Sequence, residues 1–148
     1  MGNMRMFSGE MLIQWLDAAV PDWFAVISGA FNGILGVLAI GLMVTLFAPA
    51  ALAEWMLGIV FFCGVSAGYK FWEKRKSENP TTNKVFCLMA GLLNALAAVL
   101  VQVSVDGRYF NTRPSVVLLL GLGILGLGGA ALGGGLRHRY EKLPPAGK

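Results

Sequence analysis

Hydrophobic residues in this chain are gathered into long runs that contain no charged residue. Residues 23–53, 85–105 and 114–136 hold no Asp, Glu, Lys or Arg, and a shorter charge-free run covers residues 55–69. About 20 helical residues cross the hydrocarbon of a bilayer, so each long run predicts a transmembrane helix. The shorter run predicts a further one if Glu54 lies at the headgroup level, at the start of its helix.

These runs predict an all-α, polytopic integral membrane protein whose four transmembrane helices form two tandem hairpins. Pro49 separates the first two spans in a tight turn, and polar loops at residues 72–84 and 106–114 separate the others. The spans form one transmembrane domain, residues 23–136, which is followed by a basic tail, residues 137–148. We expect the spans at about residues 23–48, 51–71, 85–105 and 115–136.

The segment before the first span, residues 1–22, predicts a short amphipathic helix that lies in the membrane interface. Ser8 can cap this helix and Pro21 ends it. Its apolar side contains Met11, Leu12, Trp15, Leu16 and Ala19. An ordinary short helix outside the membrane is the alternative. Residues 51–53 resemble a signal-peptide cleavage site, but the apolar run before them is about twice the length of a signal core, so we expect the first span to be retained.

Composition and charge fit this topology. The 148 residues are 56% hydrophobic and 14% charged, whereas about a quarter of a soluble domain is charged. The net charge of +4 does not indicate nucleic acid, because the basic residues border the apolar spans. Ten of the 12 lysines and arginines lie on the side that holds both termini and the 72–84 loop, and only Arg108 and Arg113 lie on the other. The positive-inside bias therefore places both termini in the cytoplasm, and we expect a bacterial inner membrane.

The first and third spans share a pattern of small residues around an asparagine. Each has a glycine, an asparagine and two small residues at offsets i, i+3, i+4 and i+7, which fall on one helix face. The sets are Gly29, Asn32, Gly33 and Gly36, and Gly91, Asn94, Ala95 and Ala98. This match predicts two hairpins related by an axis along the membrane normal. Chance is the alternative, because small residues are common in membrane helices.

Small-residue faces let the backbones of membrane helices approach each other. The chain has three such G-x-x-x-G pairs: Gly29 with Gly33, Gly64 with Gly68, and Gly129 with Gly133. An asparagine in hydrocarbon needs hydrogen-bond partners, so Asn32 and Asn94 are expected to point into the bundle or an oligomer seam. We expect them to face each other or to bridge through water. The alternative is that they line a polar path for a solute.

The fourth span is rich in glycine. Gly121, Gly123 and Gly126 spell the G-x-G-x-x-G letters of dinucleotide-binding proteins, but that fingerprint requires a preceding strand, which is not predicted here. Eight glycines instead leave several faces of this helix without side chains. This favours close packing on more than one side, and hence an oligomer or a larger complex. Neutral drift in a lipid-exposed helix is the alternative.

Charged residues near the span ends each have two interpretations. Glu54 is expected to act as a cap-like acid in the first turn of the second helix, or to bind an ion with Arg108 or Arg113. His138, which lies between two arginines, predicts a headgroup contact rather than a metal ligand. Two basic clusters predict contact with lipid headgroups or an acidic partner, or act as topology anchors alone. They are Lys74, Arg75 and Lys76, and Arg137, Arg139 and Lys142.

No arrangement of residues predicts catalysis, a metal site or a cofactor. The chain has one histidine, and its two cysteines, Cys63 and Cys87, lie in apolar runs without C-x-x-C spacing. No ionisable residue lies at mid-membrane, which disfavours ion-coupled transport. We therefore expect a non-enzymatic membrane subunit that assembles through small-residue faces, with the lipid bilayer and other protein chains as partners and no nucleic acid. A pore or passive transport protein, holin-like in size and topology, is the alternative, and an enzyme acting on lipids or quinones is the third.

Overall fold

The computed structural model describes residues 11–15, 22–76, 78–110 and 113–143, and every regular element in these ranges is helical. Each of the four long helices is long and apolar enough to cross a membrane, which supports a multi-pass integral membrane protein. A 3₁₀ turn joins the first two helices, and a π-helical turn extends the third. The long helices are α1 (Trp23–Phe47), α2 (Leu52–Lys74), α3 (Pro80–Val105) and α4 (Val116–Lys142).

Three helices extend further than the predicted spans. α3 begins at Pro80 rather than near residue 85, because the Asn79 side chain caps it and accepts hydrogen bonds from the backbone N–H groups of Thr81 (3.0 Å) and Thr82 (3.4 Å). α2 continues three residues beyond residue 71, and α4 continues six beyond residue 136. A charge-free run marks only the part of a helix in hydrocarbon, whereas backbone hydrogen bonding continues into the headgroup region until a cap ends it.

The helices alternate in direction between two ends of the bundle. At the basic end, α1 and α3 begin and α2 and α4 finish. There the Asp22 carboxylate accepts a hydrogen bond from the backbone N–H of Lys76, and an ion pair joins the ends of α2 and α4. At the turn end lie the turns Pro49–Ala51 and Asp106–Phe110. Glu54 lies in the first turn of α2, at the turn end, where a carboxylate suits the helix dipole.

Buried side chains form two clusters inside the bundle, one toward each end. Many of the largest apolar side chains, including Phe47, Phe62 and Val117, point outward instead. This distribution suits a protein surrounded by lipid, where outward apolar side chains carry no penalty. The core toward the turn end contains Val37, Leu52, Met56, Val60 and Leu122. The core toward the basic end contains Phe71, Trp72, Ala90 and Ala130.

The closest packing joins α2 and α4 through glycines. A Cβ added at Gly64 would lie 2.7 Å from the carbonyl oxygen of Gly126, and one added at Gly68 would collide with the carbonyl of Ala130. From the other helix, a Cβ at Gly133 would collide with the carbonyl of Val65. The two backbones are therefore in direct contact, with no side chain between them. Any residue larger than glycine at these positions forces the helices apart.

Each pair of consecutive helices is in contact, but contacts also run between α2 and α4 and between α1 and α3. The tandem hairpins and the duplication therefore stay predictions. The N-terminal amphipathic helix also stays a prediction. Residues 11–15 are helical and exposed, while the rest of that segment up to residue 21 lies outside the described residues.

The α2–α4 contact predicts opposite effects for two neighbouring glycines. Gly133→Ala places a methyl group against the Val65 carbonyl and is expected to lower the free energy of unfolding by about 1–3 kcal/mol. Gly135→Ala is the matched control, because a Cβ there has nothing within 4 Å, and helix propensity favours it by up to about 1 kcal/mol. Unfolding in mixed micelles, followed by far-ultraviolet circular dichroism, measures both. Equal stabilities would contradict the direct backbone contact.

Candidate functional site

The glycines expected to form packing faces on α1 point into the bundle. A Cβ added at Gly29 would lie 2.6 Å from the carbonyl oxygen of Ala67, and one added at Gly36 would lie 2.6 Å from the Cys63 sulfur. On α3, Gly91 is equally close to α4, with 2.5 Å between an added Cβ and the Ala130 methyl group. These glycines all serve contacts within the protomer.

Only part of the glycine content of α4 is used inside the bundle. Gly126, Gly129, Gly133 and Gly134 pack against α2 or α3, with Gly134 against the Trp72 ring. A Cβ added at Gly123, Gly128 or Gly135 would meet nothing within 4 Å. The helix therefore has a buried glycine face and an open one.

The Asn94 side chain of α3 is fully buried and contacts both α1 and α2. Its Nδ2 donates a hydrogen bond to the carbonyl oxygen of Val60 on α2 at 3.1 Å. Its Oδ1 rests against Gly33 of α1, where an added Cβ would lie 2.8 Å away. Oδ1 has no hydrogen-bond partner among the described residues. A larger residue at position 33 would collide with this amide.

Asn32 lies on the outside of the bundle, and the predicted pairing of Asn32 with Asn94 is wrong. Nδ2 of Asn32 donates to the hydroxyl oxygen of Ser66 on α2 at 2.5 Å, and both side chains are exposed. Asn32 precedes the inward-facing Gly33 by one residue, which turns its side chain about 100° around the helix axis. Each asparagine thus bonds to a different group of α2 instead of to the other.

The Asn32–Ser66 pair lies near the middle of the membrane-crossing length. Asn32 is nine residues into α1, about 14 Å from its start, and Ser66 is eight residues from the end of α2, about 12 Å. The hydrocarbon of a bilayer is about 30 Å thick. The bundle therefore presents a hydrogen-bonded polar pair outward at the depth where lipid offers neither donors nor acceptors.

A shallow apolar groove continues from this pair toward the turn end. Trp55 and Phe62 of α2 stand on either side of Gly58, and a Cβ added at Gly58 would meet nothing within 4 Å. Ile40, Glu54 and Ile59 complete the lining of the groove, whose volume is about 450 Å³. We call the outward face formed by Asn32, Ser66, Phe62, Gly58 and Trp55 the α1–α2 surface.

The basic end carries an ion pair that joins α2 to α4. Arg75 binds Glu141 through both carboxylate oxygens, at 2.7 and 3.2 Å. The Arg75 guanidinium also lies 4.1 Å from the centre of the Trp72 ring, which stacks against His138. Arg137 approaches the same carboxylate at 3.6 Å and donates to the Tyr69 hydroxyl at 3.1 Å.

In each of the two predicted basic clusters, one arginine is paired within the protein and the other members are exposed. Arg75 and Arg137 share the Glu141 carboxylate, so their charge is partly neutralised within the protein. His138 contacts the Trp72 ring rather than standing free for a headgroup. The members that remain exposed at the basic end are Lys74, Lys76, Arg139 and Lys142.

The described part of the chain offers no donor set for a metal ion, since no three His, Cys, Asp or Glu residues come together there. Cys63 and Cys87 are both buried free thiols on different helices. Sequence reasoning missed Ser66 as a partner of Asn32. Its spacing from Gly58 and Phe62 along α2 could have placed these residues on one face.

Comparison with protein-family models, curated proteins and solved structures gives no significant match.

The Arg75–Glu141 ion pair predicts a measurable coupling between α2 and α4. A double-mutant cycle with Arg75→Gln and Glu141→Gln is expected to give about 0.5–1 kcal/mol, because the pair is bidentate and its side chains are 18% and 33% exposed. The coupling should shrink in 1 M salt, where the Debye length is about 3 Å. The more exposed Lys70–Glu73 pair on α2 is the control, with an expected coupling of at most about 0.3 kcal/mol. A coupling no larger than this control would contradict the stabilising role of the Arg75–Glu141 ion pair.

Proposed function

We propose that this protein is a non-enzymatic membrane subunit that assembles, with itself or within a larger membrane complex, through the α1–α2 surface. The observation that carries the proposal is the outward Asn32–Ser66 pair near mid-membrane depth. A polar group left facing hydrocarbon is unfavourable, and a second protein helix covering the pair removes that exposure.

The hydrogen-bonding capacity of Asn32 supports this assembly. An asparagine side chain carries two N–H donors and an oxygen with two lone pairs, and within the described residues Asn32 makes one side-chain hydrogen bond. Burial of an amide without partners costs about 1–3 kcal/mol by protein mutational data. A hydrogen bond across helices in the membrane returns roughly 0.6–2 kcal/mol. The free-energy difference therefore favours a partner helix that reaches the unused donor and acceptor.

The shape of the α1–α2 surface also suits a helix. Gly58 leaves a gap between the Trp55 and Phe62 rings, and this gap can receive side chains of a neighbouring helix. In lipid, association depends on such close packing and on polar contacts rather than on hydrophobic burial. The sequence predicted assembly through glycine faces, but Gly64, Gly68, Gly129 and Gly133 are used inside the protomer. We therefore propose the α1–α2 surface as the interface in place of these glycine faces.

The orientation we propose follows the charge distribution. Ten lysines and arginines lie toward the basic end or in the segments leading to it, and two lie at the turn end. The positive-inside bias then places the basic end and both termini in the cytoplasm, with a bacterial inner membrane as the expected location. The exposed lysines and arginine at this end meet anionic headgroups, each contributing about 1 kcal/mol.

Site-directed photo-crosslinking in native membranes tests the interface. A benzoylphenylalanine at position 62 replaces one aromatic side chain by another and is expected to give a protein adduct, whose mass tells a second copy from a different subunit. The control is the same residue at position 117, on the exposed start of α4. Asn32→Leu should reduce the adduct at position 62 several-fold, because it removes the polar contact. Only lipid adducts at position 62, or equal protein adducts at both positions, would contradict the proposal.

Liposome permeability distinguishes assembly from a pore. The centre of the protomer is filled by Val37, Val60, Ala98 and Leu122, each 0% exposed, so a passage would have to form between copies. Liposomes containing the purified protein are expected to retain a small entrapped dye as well as protein-free liposomes do. Leakage that changes with Asn32→Leu would favour the pore and overturn the subunit proposal.

A further inference from the structure

A groove lies between α1 and α3, away from the α1–α2 surface. Its volume is about 730 Å³, within the range of about 300–1,000 Å³ typical of small-molecule sites. It opens sideways, toward the lipid. Its walls are aliphatic and include Ile34, Leu38 and Leu42 of α1 and Leu93, Leu96 and Leu100 of α3.

Polar groups gather at one end of this groove, where it reaches the turn end. Thr45, Ser104, Arg108 and Tyr109 line this mouth. The Thr45 and Ser104 hydroxyls donate to carbonyls of their own helices, at 2.8 and 2.7 Å. Among the described residues, Arg108 is the one charged residue that lines the groove.

Arg108 is available to an anion. Among the described residues its side chain makes no hydrogen bond or ion pair, and the residue is exposed. The nearest acid in sequence is Asp106, whose Oδ1 accepts a hydrogen bond from Gln102 at 2.9 Å. A guanidinium group binds phosphate oxygens through two parallel hydrogen bonds, so this cation complements a phosphate at the mouth of an apolar groove.

The length of the groove matches one leaflet of a bilayer. Along α1 it runs from Ile34 to Thr45, eleven residues or about 16 Å. Half the hydrocarbon thickness of a bilayer is about 15 Å. An acyl chain whose headgroup lies at the turn end would therefore reach along the groove to about the middle of the membrane.

We propose that the α1–α3 groove binds one acyl chain of a phospholipid from the leaflet at the turn end, with the lipid phosphate held by Arg108. The aliphatic walls take the chain, and the cation fixes its depth. This site uses a different pair of helices from the proposed interface and does not depend on it.

Native mass spectrometry in mild detergent, with added phosphatidylglycerol carrying 16-carbon chains, tests the site. The protein is expected to retain one molecule of this lipid. Arg108→Gln should weaken binding about tenfold, as expected for the loss of a charge-assisted contact. Arg113→Gln is the matched control, because Arg113 is exposed at the same end but does not line the groove, and it should change binding less than about twofold.

Two further measurements separate headgroup from chain recognition. Diacylglycerol with the same chains lacks the phosphate and should bind to the unmodified protein about as weakly as phosphatidylglycerol binds to the Arg108→Gln variant. Ala97→Phe fills the groove from α3 and should abolish retention of both lipids. Equal effects of the two arginine substitutions, or full retention by a folded Ala97→Phe variant, would overturn the proposal. If Ala97→Phe does not fold, the arginine pair decides the question.

Discussion

Carbonyl groups of α2 rest directly on glycine backbone of α4, and carbonyl groups of α4 rest on glycine backbone of α2. In lipid there is no hydrophobic gain from bringing helices together, so dispersion at close range must hold them. Gly64, Gly68, Gly129 and Gly133 allow that range because they place no side chain between the helices. The other helices are positioned by this pair. α1 packs on α2 through Gly29, and α3 packs on α4 through Gly91.

α2 supplies a hydrogen-bond partner to both Asn32 and Asn94. Val60 offers its carbonyl to the buried Asn94, while Ser66 offers its hydroxyl to the outward Asn32. The helix thus carries one polar contact inside the bundle and one on its surface. The surface contact holds an amide outward near mid-membrane depth, where lipid offers no hydrogen-bond partner. The proposed interface follows from this asymmetry.

Much of the fold could be predicted from the sequence, but the candidate site could not. The charge-free runs predicted four membrane-crossing helices. A charge in hydrocarbon is costly, so the segments that cross the membrane exclude charged residues. The pattern at Asn32 and Asn94 was recognised, yet the predicted contact between them was wrong. Equal offsets place the two asparagines at equivalent positions on their own helices. They do not determine which other helix each asparagine contacts. The α1–α3 groove was also missed, because leucines that line a groove and leucines that face lipid are the same residues in sequence.

The sequence by itself determined the four long apolar helices, their approximate bounds and the end of the bundle that carries most of the basic residues. These depend on one-dimensional quantities, which are the length of an apolar run and the placement of lysine and arginine. Only the tertiary structure decided which glycines meet backbone and which stay open, which asparagine is buried, and how Arg75 and Arg137 come to share Glu141. Those outcomes depend on the rotation of each helix about its axis. Apolar runs do not determine that rotation, because nearly every face of such a helix is compatible with lipid.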